Sequence, residues 1–146
     1  MVAVGVHGTP ACDAALEFAI AEALRRGVGV EIVTAWQASD VEGAATELEA
    51  RREARRRALT AQREAMANLH GHMGSHCPTV SGVLAEGVAE DVLVLVSQRA
   101  VCIVVGTGRP VPAPVGAHEP HGLPLANARC PVIRVPVQHR EAGRDR

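Results

Sequence analysis

Five short, β-branched runs separated by helix-length stretches constrain this chain more than any other feature. They are residues 2–7 (VAVGVH), 28–36 (VGVEIVTAW), 79–86 (TVSGVLAE), 100–106 (AVCIVVG) and 131–137 (PVIRVPV). The first two are apolar on both sides of the pleat, as strands buried in a parallel sheet require. Between them, Thr9 can cap a helix and Pro10 suits its first position. Cys12, Leu16, Ala19, Ile20, Ala23 and Leu24 then fall on one helical face. Gly27 stands where a left-handed C-cap belongs. The spacing predicts a helix over 11–26 and a complete βαβ unit by Trp36.

A second helix is expected over 41–70, on the stripe Val41, Ala45, Leu48, Leu59, Gln62, Met66 and Leu69. Its middle holds Arg51, Arg52, Arg55, Arg56 and Arg57, with Glu47–Arg51 and Glu53–Arg57 at the favourable i,i+4 spacing. Glu42, Glu47, Glu49, Glu53 and Glu64 interleave with them. That mixture reads as a solvated face rather than an RNA-binding arginine helix. Residues 88–99 are β-branched, and propensity alone would make them a strand. The βαβ rhythm demands a helix there, and we read one. Residues 107–122 hold four Pro and three Gly and read as a long irregular loop. A short helix is placed over 121–128, disturbed by Pro124. Pro136 confines the last strand to a sheet edge.

Right-handed crossovers turn this order into a doubly wound, five-stranded parallel α/β sheet, strand order 3-2-1-4-5, a Rossmann-like sandwich. It spans 1–137, with a flexible polar tail over 138–146. The ligand crevice of such a sheet lies where the strand order reverses. Here His7, Gly8, Thr9 and Pro10 stand opposite Gly106, Thr107, Gly108 and Arg109.

Composition narrows what that crevice can do. All 15 basic residues are Arg. Without Lys there is no Walker phosphate loop, no Schiff-base chemistry and no phospho-receiver site. One Phe, one Trp and no Tyr disfavour single-strand nucleic-acid binding. A net charge of −1 argues against electrostatic binding to DNA or lipid. Gly5-Val6-His7-Gly8 has the wrong spacing for a dinucleotide fingerprint. No nucleophile elbow or paired carboxylate stands at a strand end, so no enzyme is expected. Cys12, Cys77, Cys102 and Cys130 form no CxxC pair and read as reduced thiols of a cytoplasmic protein. No signal peptide and no membrane-spanning run is expected.

Three stretches carry a family resemblance over about residues 2–137. They are VAVGVHGTPACDAALEFAIAEALRRGVGVEIVTAWQ at 2–37, AVCIVVGTGR at 100–109 and ANARCPVIRVPV at 126–137. Together, in order, they resemble the universal stress proteins. These open on a strand ending V-D-G-S, turn on V-V-G-[ST]-x-G after the fourth strand, and close on C-P-V. The resemblance implies an α/β sandwich that is usually a homodimer, often binding ATP or AMP. Binding members carry G-x-x-G, nine residues, then G-[ST], so that backbone donors and a helix N-terminus hold the phosphates.

Against that pattern Gly106 matches the first glycine. The second falls on Arg109, unless a one-residue deletion lets Gly108 serve. The G-[ST] position falls on His118 and Glu119, and the acidic residue of the first turn is His7. The fold markers are kept and the nucleotide markers largely broken. The reading is a non-enzymatic stress-response protein acting through protein contacts, with weak or no ATP binding and no cofactor expected. The alternative is an ATP- or AMP-binding member with Gly106, Gly108 and Thr9 at the phosphates and Ala35 and Trp36 facing adenine. A distant third is a metal-handling protein using His70, His72, Met73, His76 and Cys77. That stretch lacks any fixed ligand spacing, and no stoichiometric metal is expected. Pro110, Pro112 and Pro114 read as stiffening of a loop. A homodimer is expected through the last strand, whose Ile133, Val135 and Val137 share one face.

Overall fold

A computed structural model describes residues 1–7, 10–73, 76–107 and 125–136. The strands are β1 (Val2–Gly5), β2 (Val30–Trp36), β3 (Val80–Glu86), β4 (Cys102–Thr107) and β5 (Val132–Pro136). The helices are α1 (Pro10–Arg26), α2 (Glu47–His72) and α3 (Ala89–Ser97), with a single 3-10 turn at Ala38–Asp40. All pairings are parallel and the order is β3-β2-β1-β4-β5, as the rhythm of the sequence requires. Residues 88–99, apolar and β-branched, do supply a helix.

Alternation along each strand divides the core between the two faces of the sheet. Val2, Val4, Val30, Ile32, Cys102 and Val104 pack under α1 and α2, against Leu16, Ala19, Ala23, Ala65 and Leu69. Ala3, Val33 and Ile103 pack on the opposite face, against Val92, Leu93 and Val96 of α3. Gly27 ends α1 at φ 67°, the left-handed conformation its C-cap position demands. Gln62 of α2 is buried and bridges two strands. Its Nε2 donates to Ile32 O at 3.1 Å, to Val83 O at 2.9 Å and to Thr34 Oγ1 at 3.4 Å. Gly82 makes room for it, since a Cβ there would stand 2.6 Å from Gln62 Oε1 and 2.7 Å from Met66 Cε.

Three expectations are corrected. The second helix begins at Glu47, not 41, because the Thr46 hydroxyl accepts the Glu49 N–H at 3.1 Å. Glu49 in turn accepts the Ala45 N–H at 3.2 Å, which fixes the helix start. Glu53 does pair with Arg57, at 3.0 Å, but Arg51 reaches Glu86 of β3 at 2.6 Å instead of Glu47. Thr107, expected in the loop, continues β4 opposite Pro136. The rest of that loop and most of the short helix at 121–128 lie outside the described residues. Within 125–128 the chain makes a turn, with Ala128 N donating to Leu125 O at 3.0 Å.

Two helix-surface carboxylates carry a testable pH dependence. Glu22 is held at about 2 by Arg25 and then Arg26, and Glu53 at about 2 by Arg56 and then Arg57. Both folded values lie below the ordinary 4.5, so each contribution is complete above that pH and is lost as pH falls toward 2. Thermal unfolding should show a melting temperature that declines between these limits. A Glu22→Gln/Glu53→Gln double variant should show a shallower decline; an unchanged slope would contradict the assignment.

Candidate functional site

The strand order reverses between β1 and β4, and the carboxyl ends of these strands open a crevice. Gly5, Val6 and His7 supply one wall, and Val105 and Gly106 the other. Val33 and Ala35 of β2 and Ala89 and Leu93 of α3 complete the lining. The cavity they bound is about 90 Å³. Small-molecule sites are usually about 300–1,000 Å³. Among the described residues its walls are apolar side chains and glycine backbone, and His7 is the one lining side chain with a polar group.

His7 follows β1 and is exposed. Its backbone N–H donates to Cys12 Sγ at 3.3 Å, tying the end of β1 to the first turn of α1. The side-chain hydrogen bond with Cys12 raises the imidazole pKa above its ordinary 6.5, against the opposing effect of burial. Cys12 itself is buried.

The structure thus brings together His7, Ala35 and Gly106, and places Thr107 one residue further along β4. Pro10 opens α1. Trp36 is corrected: its side chain leaves the crevice and packs against Ala54 and Ala58 of α2, near Val41 and Leu84. Neighbouring strand residues face opposite sides, so Ala35 turns to the α3 face of β2 and Trp36 to the α2 face. Gly8, Thr9, Gly108, Arg109, His118 and Glu119 lie outside the described residues. Ala89 and Leu93 were not singled out in the sequence. The i,i+4 spacing on the expected helix 88–99 is the signal that could have found them.

The histidine-containing stretch shows no metal geometry among the described residues. His70 Nδ1 donates to Met66 O at 2.7 Å within α2. The side chain of His72, and Gly74 and Ser75, lie outside the described residues. No helix among the described residues is long and apolar enough to cross a membrane.

The family model described as the universal stress protein family matches residues 1–112. The chain belongs to that family. No curated protein matches it in sequence. Among solved structures, universal stress protein UspA of Lactobacillus plantarum is 18% identical with a TM-score of 0.71, covering 92% of this chain and 95% of its own. A universal stress protein in complex with cAMP is 19% identical with a TM-score of 0.59, covering 94% and 95%. A family protein from Arabidopsis thaliana with AMP bound is 17% identical with a TM-score of 0.57, covering 99% and 96%. At these identities the likeness shows the shared fold.

Proposed function

We propose that this member acts without catalysis, through protein contacts, and that its crevice binds adenine nucleotide weakly or not at all. The observation that carries the reading is the crevice lining. A ribose needs hydrogen-bonding partners for its hydroxyls, and a buried polar group left without them is costly. Among the described residues the lining offers a single imidazole, at the position where the family resemblance implies a carboxylate in binding members. The same poverty of polar groups supports the non-enzymatic reading, since no acid–base pair or activated nucleophile lines the cavity among the described residues.

The second reading, an AMP- or ATP-binding member, is favoured by two observations. The apolar floor of Val33, Ala35 and Leu93 could take a purine face, and Gly106 leaves the backbone approachable. Structural neighbours carry cAMP and AMP. Thermal shift separates the readings. A nucleotide at a hundredfold excess over Kd stabilises by about 2.7 kcal/mol, which is roughly 5–10 °C for a domain of this size. We expect less than about 1 °C at millimolar ATP with magnesium, a Kd no tighter than about 1 mM. A shift of several degrees, abolished by Gly106→Val, would establish the second reading.

Assembly follows the same logic. Among the described residues β5 pairs with β4 alone and forms one edge of the sheet. Ile133 and Val135 are half-buried against the α1 face, and an edge strand of this kind invites pairing with a second copy. We infer a homodimer through β5, located in the cytoplasm. Sedimentation at tens of micromolar should give twice the monomer mass; a monomer there would contradict it.

A further inference from the structure

The arginines of α2 are not evenly spread. At about 100° per residue, Leu48, Arg52, Arg55, Leu59, Arg63, Met66 and His70 fall within an arc of roughly 80°. The row runs the length of the helix, about 33 Å from Leu48 to His70. It holds no carboxylate. Glu49, Glu53 and Glu64 lie on the other flank of the exposed surface, roughly 40–100° further round.

The ion pairs respect that segregation. Arg56 and Arg57 are turned to Glu53, and Arg51 to Glu86. Arg52, Arg55 and Arg63 are exposed and have no ion-pair partner among the described residues. Beside them Leu48 is 57% exposed and Leu59 is half-buried. The spacing 4-3-4-4-3-4 is that of a helix seam, on which basic positions are interspersed with apolar ones.

We propose that this row is a docking strip for an acidic amphipathic helix of a protein partner. Carboxylates of such a helix would face Arg52, Arg55 and Arg63, while its apolar side chains cover Leu48 and Leu59. Charge complementarity of this kind sets register and speeds encounter. A nucleic acid fits less well, because Glu49, Glu53 and Glu64 flank the row and no aromatic side chain stands in it. The proposal rests on the protein-contact reading but not on the state of the crevice. Nucleotide binding would leave it standing, and a silent strip would leave the nucleotide result standing.

The test uses the full chain and three fluorescein-labelled probes followed by anisotropy at 50 mM NaCl. They are a 24-residue helical peptide with a Leu seam flanked by Glu, the same peptide with Gln for Glu, and a 24-nucleotide single-stranded DNA. Binding of the Glu peptide alone is expected, weakened about tenfold or more by R52Q/R55Q/R63Q and also weakened by 300 mM NaCl. Leu48→Ser should weaken it several-fold. These side chains face solvent, so the variants should keep the parent's circular dichroism and melting temperature. Four outcomes overturn the proposal: equal binding by the triple variant, equal binding of the Gln peptide, preference for the DNA, or no binding at 100 µM protein. A salt-sensitive self-association that disappears in the triple variant would overturn it too, by assigning the strip to a second copy.

Discussion

Replacing Gln62 with glutamate should destabilise the fold by about 3–5 kcal/mol at neutral pH, the scale of an uncompensated buried charge. Gln62 is 6% exposed, and its amide nitrogen donates to two strand carbonyls and to Thr34. A carboxylate there would place negative charge against Ile32 O and Val83 O. The side chain keeps its size, so Gly82 still accommodates it and the loss is electrostatic. For 146 residues the melting temperature should fall by roughly 10 °C or more. The sign with pH follows. Burial raises the folded pKa of the new carboxyl above its unfolded value, so the neutral form is favoured in the fold. The penalty is therefore small below the unfolded pKa and grows as pH rises past it. Urea titrations at pH 4.5 and pH 7.5 should show the gap from the parent widening at the higher pH. A Gln62→Glu variant as stable as the parent at both would contradict this account of the bridge between β2 and β3.

Arg99→Met should cost roughly 1–3 kcal/mol, and a second substitution should recover most of it. Glu31 lies on the α3 face of β2 with its side chain only 8% exposed, and Arg99, just past the end of α3, hydrogen-bonds to it. Removing Arg99 leaves a buried carboxylate without a partner. The guanidinium is 53% exposed, so its loss costs less than that of a fully buried partner. In Glu31→Leu/Arg99→Met both charges are gone and apolar groups fill the place, a replacement that is often neutral or favourable. The urea midpoint should fall for the single variant and return toward the parent for the double. Equal midpoints for single variant and parent would show that the pair contributes nothing to stability.

These two interactions also mark where sequence reasoning runs out. The order of strands was legible, because short β-branched runs alternating with helix-length stretches leave few right-handed topologies. The helix α3 was legible against its own propensity for the same reason. The start of α2 was legible in principle: Thr46 and Glu49 form the T-x-x-E signature of a capping box, inside the stripe from Val41 that suggested an earlier start. So was the orientation of Trp36, which strict alternation assigns to the face opposite Ala35. Glu31 and Arg99, 68 residues apart, and Gln62 with Val83, 21 apart, could not be paired from the sequence. Only the folded sheet brings them together. The choice of Arg51 for Glu86 over Glu47 is of the same kind, since a tertiary partner won over a local one. At the crevice, Gly106 and His7 followed from strand ends, whereas Ala89 and Leu93 depend on how α3 lies across the sheet.

The chain keeps the fold of its family, and we propose that its crevice holds an adenine nucleotide weakly or not at all. Native mass spectrometry of the purified protein, before and after incubation with AMP and with ATP and magnesium, tests this most directly. The account expects only the mass of the bare polypeptide, as monomer or dimer, at every nucleotide concentration up to about 100 µM, a tenth of the 1 mM limit set above. One equivalent of adenine nucleotide per chain, retained through purification or acquired in that range and absent from Gly106→Val, would contradict it.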